Sequence, residues 1–69
     1  MITLKELLKI LPSNAFFCLL DKSGKVLLNN TFVNSTKGAA DFLNNEVIFL
    51  QYENPGIGAA CYLITIELH

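Results

Sequence analysis

Two hydrophobic rhythms divide the chain. Leu4, Leu7, Leu8 and Leu11 recur at i, i+3, i+4 and i+7, the spacing that lays one apolar stripe along a helix. This predicts a helix from Ile2 to Leu11. Thr3 stands at the capping position, Glu6 follows three residues on to reach back to the Thr3 amide, and Ile2 is placed to staple against Leu7. Pro12 ends the element, because proline disfavours helical backbone in the residue before it. Lys5 and Lys9 line the outer face, and two lysines are too few for a membrane anchor. The helix is therefore expected to cover a sheet.

The second rhythm is that of strands. Ala15 to Leu20 and Lys25 to Asn30 read as a hairpin, with Asp21-Lys22-Ser23-Gly24 suiting a type I turn closed by Gly24 in the left-handed region. One carboxylate, one glycine and no following helix make this a turn and not a phosphate or metal loop. In the first strand Phe17 and Leu19 point one way while Phe16, Cys18 and Leu20 point the other. Both sets are apolar, so alternation does not say which is inward. Asn29 to Ser35 is polar around Phe32 and Val33, as for a strand continuing past a bulge or a connection pinned by those two side chains.

A short helix is predicted from about Thr36 to Asn44, with Ser35 or Thr36 as cap and Ala39, Ala40, Phe42 and Leu43 on its inner side. Gly38 weakens it by about 1 kcal/mol of propensity. Asp41 and Glu46 are expected to be solvated. Glu46 to Tyr52 and Ala59 to Leu68 form a second pair of strands. Val47, Ile48, Phe49 and Leu50 offer hydrocarbon to both sides, whereas Tyr62, Ile64, Ile66 and Leu68 alternate with Leu63, Thr65 and Glu67. Asn54-Pro55-Gly56 fits a type II turn. Gly56-x-Gly58 is followed by a strand, not by the helix that a nucleotide loop requires.

The order α-β-β-α-β-β predicts an α+β domain: a four-stranded, mostly antiparallel sheet with helical cover on one face. With 69 residues this is a single domain, and one that buries only about 60% of the surface its unfolded chain exposes. Yet 52% of the residues are hydrophobic. That surplus leaves one sheet face or edge strand apolar and open, which soluble monomers usually avoid. A homo-oligomer, most simply a twofold dimer, is the expected solution. The candidate interface comprises Phe16, Cys18, Leu20, Ile48, Leu50 and Tyr52. The alternative is a small-ligand or peptide-binding module with a groove lined by Phe16, Phe32, Tyr52 and Tyr62.

Charge narrows the function further. The net charge is -1, and all five cations are lysines scattered among acids. Without arginine there is no planar fork to read guanine or grip phosphate, and no basic footprint for nucleic acid. No basic n-region precedes a long apolar stretch, and no run reaches the roughly 18 apolar residues of a membrane span. The expected setting is the cytoplasm, with Cys18 and Cys61 as reduced, buried thiols. Asn29-Asn30-Thr31 and Asn34-Ser35-Thr36 match the glycosylation triplet but, without secretion, are polar turns.

Catalytic equipment is sparse. The single histidine, His69, is the last residue, where no packed third group orients it as a base. Neither cysteine has a cationic cluster nearby to make a thiolate. Two separated cysteines and one histidine are too few for a zinc site. The sequence thus predicts no enzyme, no cofactor and no metal.

One resemblance remains. Ile2-x-x-x-Glu6-Leu7-Leu8-x-Ile10 ending at Pro12, then Leu20-Asp21-Lys22-Ser23-Gly24-Lys25-Val26, then Phe42-Leu43 before Val47-x-Phe49, and a last strand bearing Ile64 and Ile66 together resemble short uncharacterised proteins of bacterial prophages and mobile elements. The resemblance implies a small accessory factor and carries no activity or site residues to transfer.

Overall fold

The computed structural model describes residues 2–53 and 60–68. Its elements are α1 (Leu4–Ile10), β1 (Phe16–Leu20), β2 (Val26–Phe32), a 3-10 helix (Thr36–Phe42), β3 (Val47–Glu53) and β4 (Cys61–Ile66). The Asn54-Pro55-Gly56 turn, Gly56-x-Gly58, the Ala59 strand start and His69 lie outside the described residues.

Helix α1 forms where local chemistry demands it. The Glu6 amide donates to the Thr3 hydroxyl at 3.3 Å, and the Thr3 amide donates back to Glu6 Oε1 at 3.0 Å. This capping box satisfies two N-terminal amides at once. At the other end Leu11 is already extended, with ψ 153°, the conformation that Pro12 imposes on its predecessor. The hydrogen bond from the Thr3 amide, reinforced by its hydroxyl, holds the Glu6 carboxyl below its ordinary value of 4.5. Asp21 is likewise lowered from 3.8, first by the Ser23 hydroxyl at 2.6 Å and then by the Lys25 and Ser23 amides. A depressed folded value means stability that is complete above the ordinary value and is lost as pH falls through the folded one. Thr3→Ala is expected to cost about 1 kcal/mol. In a pH series of thermal melts it should also flatten the decline below pH 4.5; an unchanged acid limb would show that the box does not set it.

The hairpin turn is likewise local. Asp21 Oδ1 accepts from the Ser23 and Lys25 amides at 2.9 and 3.0 Å, the Gly24 amide closes onto the Asp21 carbonyl at 3.0 Å, and Gly24 sits at φ 88°. A side chain at that φ is strained, so glycine is the residue of choice. β2 then continues to Phe32 past two register irregularities. Asn30, at φ 43°, marks one of them, opposite Cys18.

The sheet order is β2-β1-β4-β3, with β1 and β4 parallel at the centre and antiparallel pairs on both flanks. The sheet is therefore mixed: a mostly antiparallel sheet is the expectation from two successive hairpins, and two of the three pairs are antiparallel while the central one is parallel. β2 and β3 lie at opposite edges, three strand spacings or roughly 14 Å apart. The connecting segment is a 3-10 helix and not the expected α-helix. Seven residues at about 2.0 Å rise reach roughly 14 Å, against about 10 Å for an α-helix. Ser35 precedes it without a side-chain capping bond. Gly38 leaves room there: a Cβ on it would meet Leu28 Cδ1 at 3.8 Å.

The core joins Leu4, Leu7 and Leu8 of α1 to Ala15, Phe17 and Leu19, to Val33 and Ala39, and to Ile64 and Ile66 of β4. Phe17, Leu19, Ile64 and Ile66 are fully buried. This decides the parity that alternation left open: Phe17 and Leu19 face inward, and Phe16, Cys18 and Leu20 lie on the other side.

Candidate functional site

β3 is the least covered strand of the sheet. Val47 packs against the core, but every residue from Ile48 to Glu53 is exposed, including Phe49 at 59% and Tyr52 at 53%. Among the described residues no strand lies beyond it. Its sequence, Val-Ile-Phe-Leu-Gln-Tyr-Glu, has no lysine or proline, the residues that commonly guard edges against pairing.

Hydrogen bonds of neighbouring residues show which way its backbone faces. The Glu67 amide donates to the Glu46 carbonyl at 2.9 Å, and the Phe16 amide donates to the Ala60 carbonyl at 2.8 Å. Along β4, odd-numbered residues thus turn their backbone groups to β3 and even-numbered ones to β1. Phe49, Gln51 and Glu53 pair with Thr65, Leu63 and Cys61, so their amides and carbonyls are spent on β4. Leu50 and Tyr52 aim theirs at the open edge. At the start of β3 that edge is occupied: the Val47 amide donates to the Ile2 carbonyl at 2.9 Å, and Thr3 bridges Glu46.

The side chains divide by face. Leu50 and Tyr52 lie opposite Ile64 and Tyr62, in line with Leu19 and Phe17, and so share the core side. Both are nonetheless exposed, and of β3 only Val47 is among the described residues packed against the core. Phe49, paired with Thr65 in line with Leu20, lies on the opposite side. Val47 and Phe49 are two residues apart yet face opposite ways, because the register slips at Ile48. A bulge of this kind reverses the alternation.

The six candidate residues consequently do not form one surface. Phe16, Cys18 and Leu20 share the side away from the core, Leu50 and Tyr52 the core side at the edge, and Ile48 sits at the bulge. The four aromatics of the expected groove split in the same way. Phe16 stacks on Phe32 with centroids 4.2 Å apart on one side, and Tyr52 meets Tyr62 at 5.2 Å on the other. Phe49, Phe32 and Val26, all exposed, join the side away from the core. Neither the all-apolar run from Val47 to Leu50 nor the Ile48 bulge within it marks Phe49 in the sequence.

The polar groups on that side are engaged structurally. Cys18 is buried; its thiol donates to Asn29 Oδ1 at 3.2 Å, and its sulfur accepts from the Asn30 amide at 3.4 Å across the β2 irregularity. Burial, with the neighbouring Cys18 thiol next in weight, pushes the Cys61 thiol above its ordinary value of 9.0. Thiolate is the reactive form, so Cys61 should react with iodoacetamide at neutral pH more slowly in the native protein than in urea. Equal rates followed by mass spectrometry would contradict the burial of that thiol. Both cysteines are free.

Among the described residues no three His, Cys, Asp or Glu side chains gather as a metal would need. Asp21 is a turn residue, and Lys22 is paired with Glu67 at 2.7 Å. No helix of the described residues is long and apolar enough to cross a membrane. Compared with family models, curated proteins and solved structures, the chain has no match.

Proposed function

We propose that this protein is a non-enzymatic interaction module that associates with a second copy of itself through the open β3 edge. The observation that carries this reading is the exposure of β3 from Ile48 to Glu53, four of whose six residues are large and apolar. Edge strands present rows of amides and carbonyls ready for pairing, and an unguarded apolar one is a ready-made template for association. Burying Ile48, Phe49, Leu50 and Tyr52 at a contact favours it at about 25 cal/mol per Å² of apolar surface.

The one-sided helical cover belongs to the same reading. α1 and the 3-10 helix contribute Leu4, Leu7, Leu8 and Ala39 to the cluster on the Phe17 side, while Phe16, Leu20, Val26, Phe32 and Phe49 form a second apolar area on the other. The cytoplasm suits two free thiols, and an accessory role in a bacterial mobile element follows the motif resemblance. Catalysis, cofactor, metal and nucleic acid have no part in it.

Sedimentation velocity across a wide concentration range tests the reading. The expected result is a dimer that dissociates on substituting Leu50→Lys, with the circular dichroism of the fold retained. A wild-type chain that sediments as a monomer throughout would overturn it and would turn attention to an extended peptide as the strand's partner.

A further inference from the structure

Resting on the self-association reading, we infer that two copies join β3 to β3 in antiparallel fashion about a twofold axis through Gln51, making one continuous eight-stranded sheet. Leu50 and Tyr52 are the β3 residues whose backbone groups face the edge, so a symmetric antiparallel ladder must pair even-numbered residues with even-numbered ones. Past the Ile48 bulge three registers satisfy this within the strand, with axes through Leu50, Gln51 or Tyr52.

The first is blocked by the protein's own chain. An axis through Leu50 sets Glu53 of the second copy beside Val47, where Ile2 already takes the Val47 amide and Thr3 bridges Glu46. An axis through Tyr52 is weak in two ways. It leaves only Gln51 to Glu53 overlapping within β3. It also brings the two Glu53 carboxylates, the only charges on the strand, within two residues or roughly 7 Å along the strand, inside the screening distance of about 8 Å at physiological salt.

The axis through Gln51 avoids both. Leu50 lies opposite Tyr52 of the second copy and Tyr52 opposite its Leu50, so each edge-facing amide and carbonyl of these residues finds a partner. The same pairing covers both exposed side chains on the core side. Phe49 faces the stem of Glu53 from the second copy, and the two Glu53 residues stand four residues apart, roughly 13 Å along the strand. The Gln51 side chains meet at the axis as a self-complementary amide pair. Ile2 and Thr3 thus act as a stop that selects the register.

Cysteine crosslinking reads the register directly. Residues facing each other in the pairs that do not exchange backbone bonds have Cβ atoms about 4.5–5.5 Å apart, close enough for a disulfide after small adjustment. With Cys61→Ser throughout, Gln51→Cys oxidised by glutathione disulfide is expected to give at least ~10-fold more covalent dimer than Phe49→Cys or Glu53→Cys alone, whereas those two mixed should crosslink to each other. On the unsubstituted chain, amide exchange at Leu50 and Tyr52 should slow by about tenfold from dilute to concentrated solution while Phe49 and Gln51, already bonded to β4, stay unchanged. Self-crosslinking of Phe49→Cys to the same extent, or concentration-independent exchange at Leu50 and Tyr52 in a sedimenting dimer, overturns the register and leaves self-association intact. A wild-type monomer at all concentrations overturns both.

Discussion

Phe17→Ala should leave little folded protein, shifting the urea midpoint down by about 3 M. Phe17 is fully buried, in one cluster with Leu4, Leu7 and Leu8 of α1, and truncating a buried phenylalanine costs about 3–5 kcal/mol because the cavity only partly collapses. At roughly 0.05–0.15 kcal/mol per residue, a chain of this length has a total stability of similar size. The slope for a small domain is about 1 kcal/mol per molar urea, which converts the loss into the expected midpoint shift. Phe49→Ala is the matched control: the same chemistry at a side chain 59% exposed should change monomer stability by no more than about 0.5 kcal/mol. The comparison belongs at low concentration, since association adds to apparent stability. Comparable losses at the two positions would mean that the faces of β1 and β3 have been wrongly assigned.

Proline at adjacent β3 positions should separate folding from association. Gln51→Pro removes an amide directed at β4 and leaves the half-buried Leu63 unpaired, a cost of about 1–3 kcal/mol before any strain from the ring. Leu50→Pro removes an amide directed at the open edge, where proline is tolerated. Its predecessor, Phe49, is already in the extended conformation that proline asks of it. Urea melts should therefore show Gln51→Pro as the less stable monomer, while sedimentation shows Leu50→Pro as the variant that no longer associates. Equal destabilisation by both would refute the backbone assignment along β3 and with it the open edge.

How far the chain could be read in advance depended on how far apart the interacting residues lie. Thr3 and Glu6, or Asp21 and Gly24, meet across three residues, and their bonds form much as their spacing implies. The apolar stripe of α1 was visible for the same reason. The 3-10 helix is harder: the spacing around Gly38 predicts an α-helix, and the need to stretch from one sheet edge to the other favours the longer rise. β1 and β3 were hardest. With Phe16 to Leu20 and Val47 to Leu50 apolar at every position, alternation carries no inward mark, and a bulge at Ile48 reverses the faces without leaving a trace in hydropathy. The six candidate interface residues come from both strands, and they separate onto two faces.

The amino acids alone settle the capped helix, the Asp21–Gly24 turn, a strand-rich α+β composition and a surplus of hydrocarbon. Each follows from contacts a few residues long or from sums over the chain. The parallel pairing of β1 with β4, the placement of β3 at the edge, and the direction in which Leu50 and Tyr52 aim their backbone groups emerge only when the whole chain is folded. Backbone edges are chemically alike, so which strand joins which is decided by the long-range packing of Phe17, Leu19, Ile64 and Ile66 in the core.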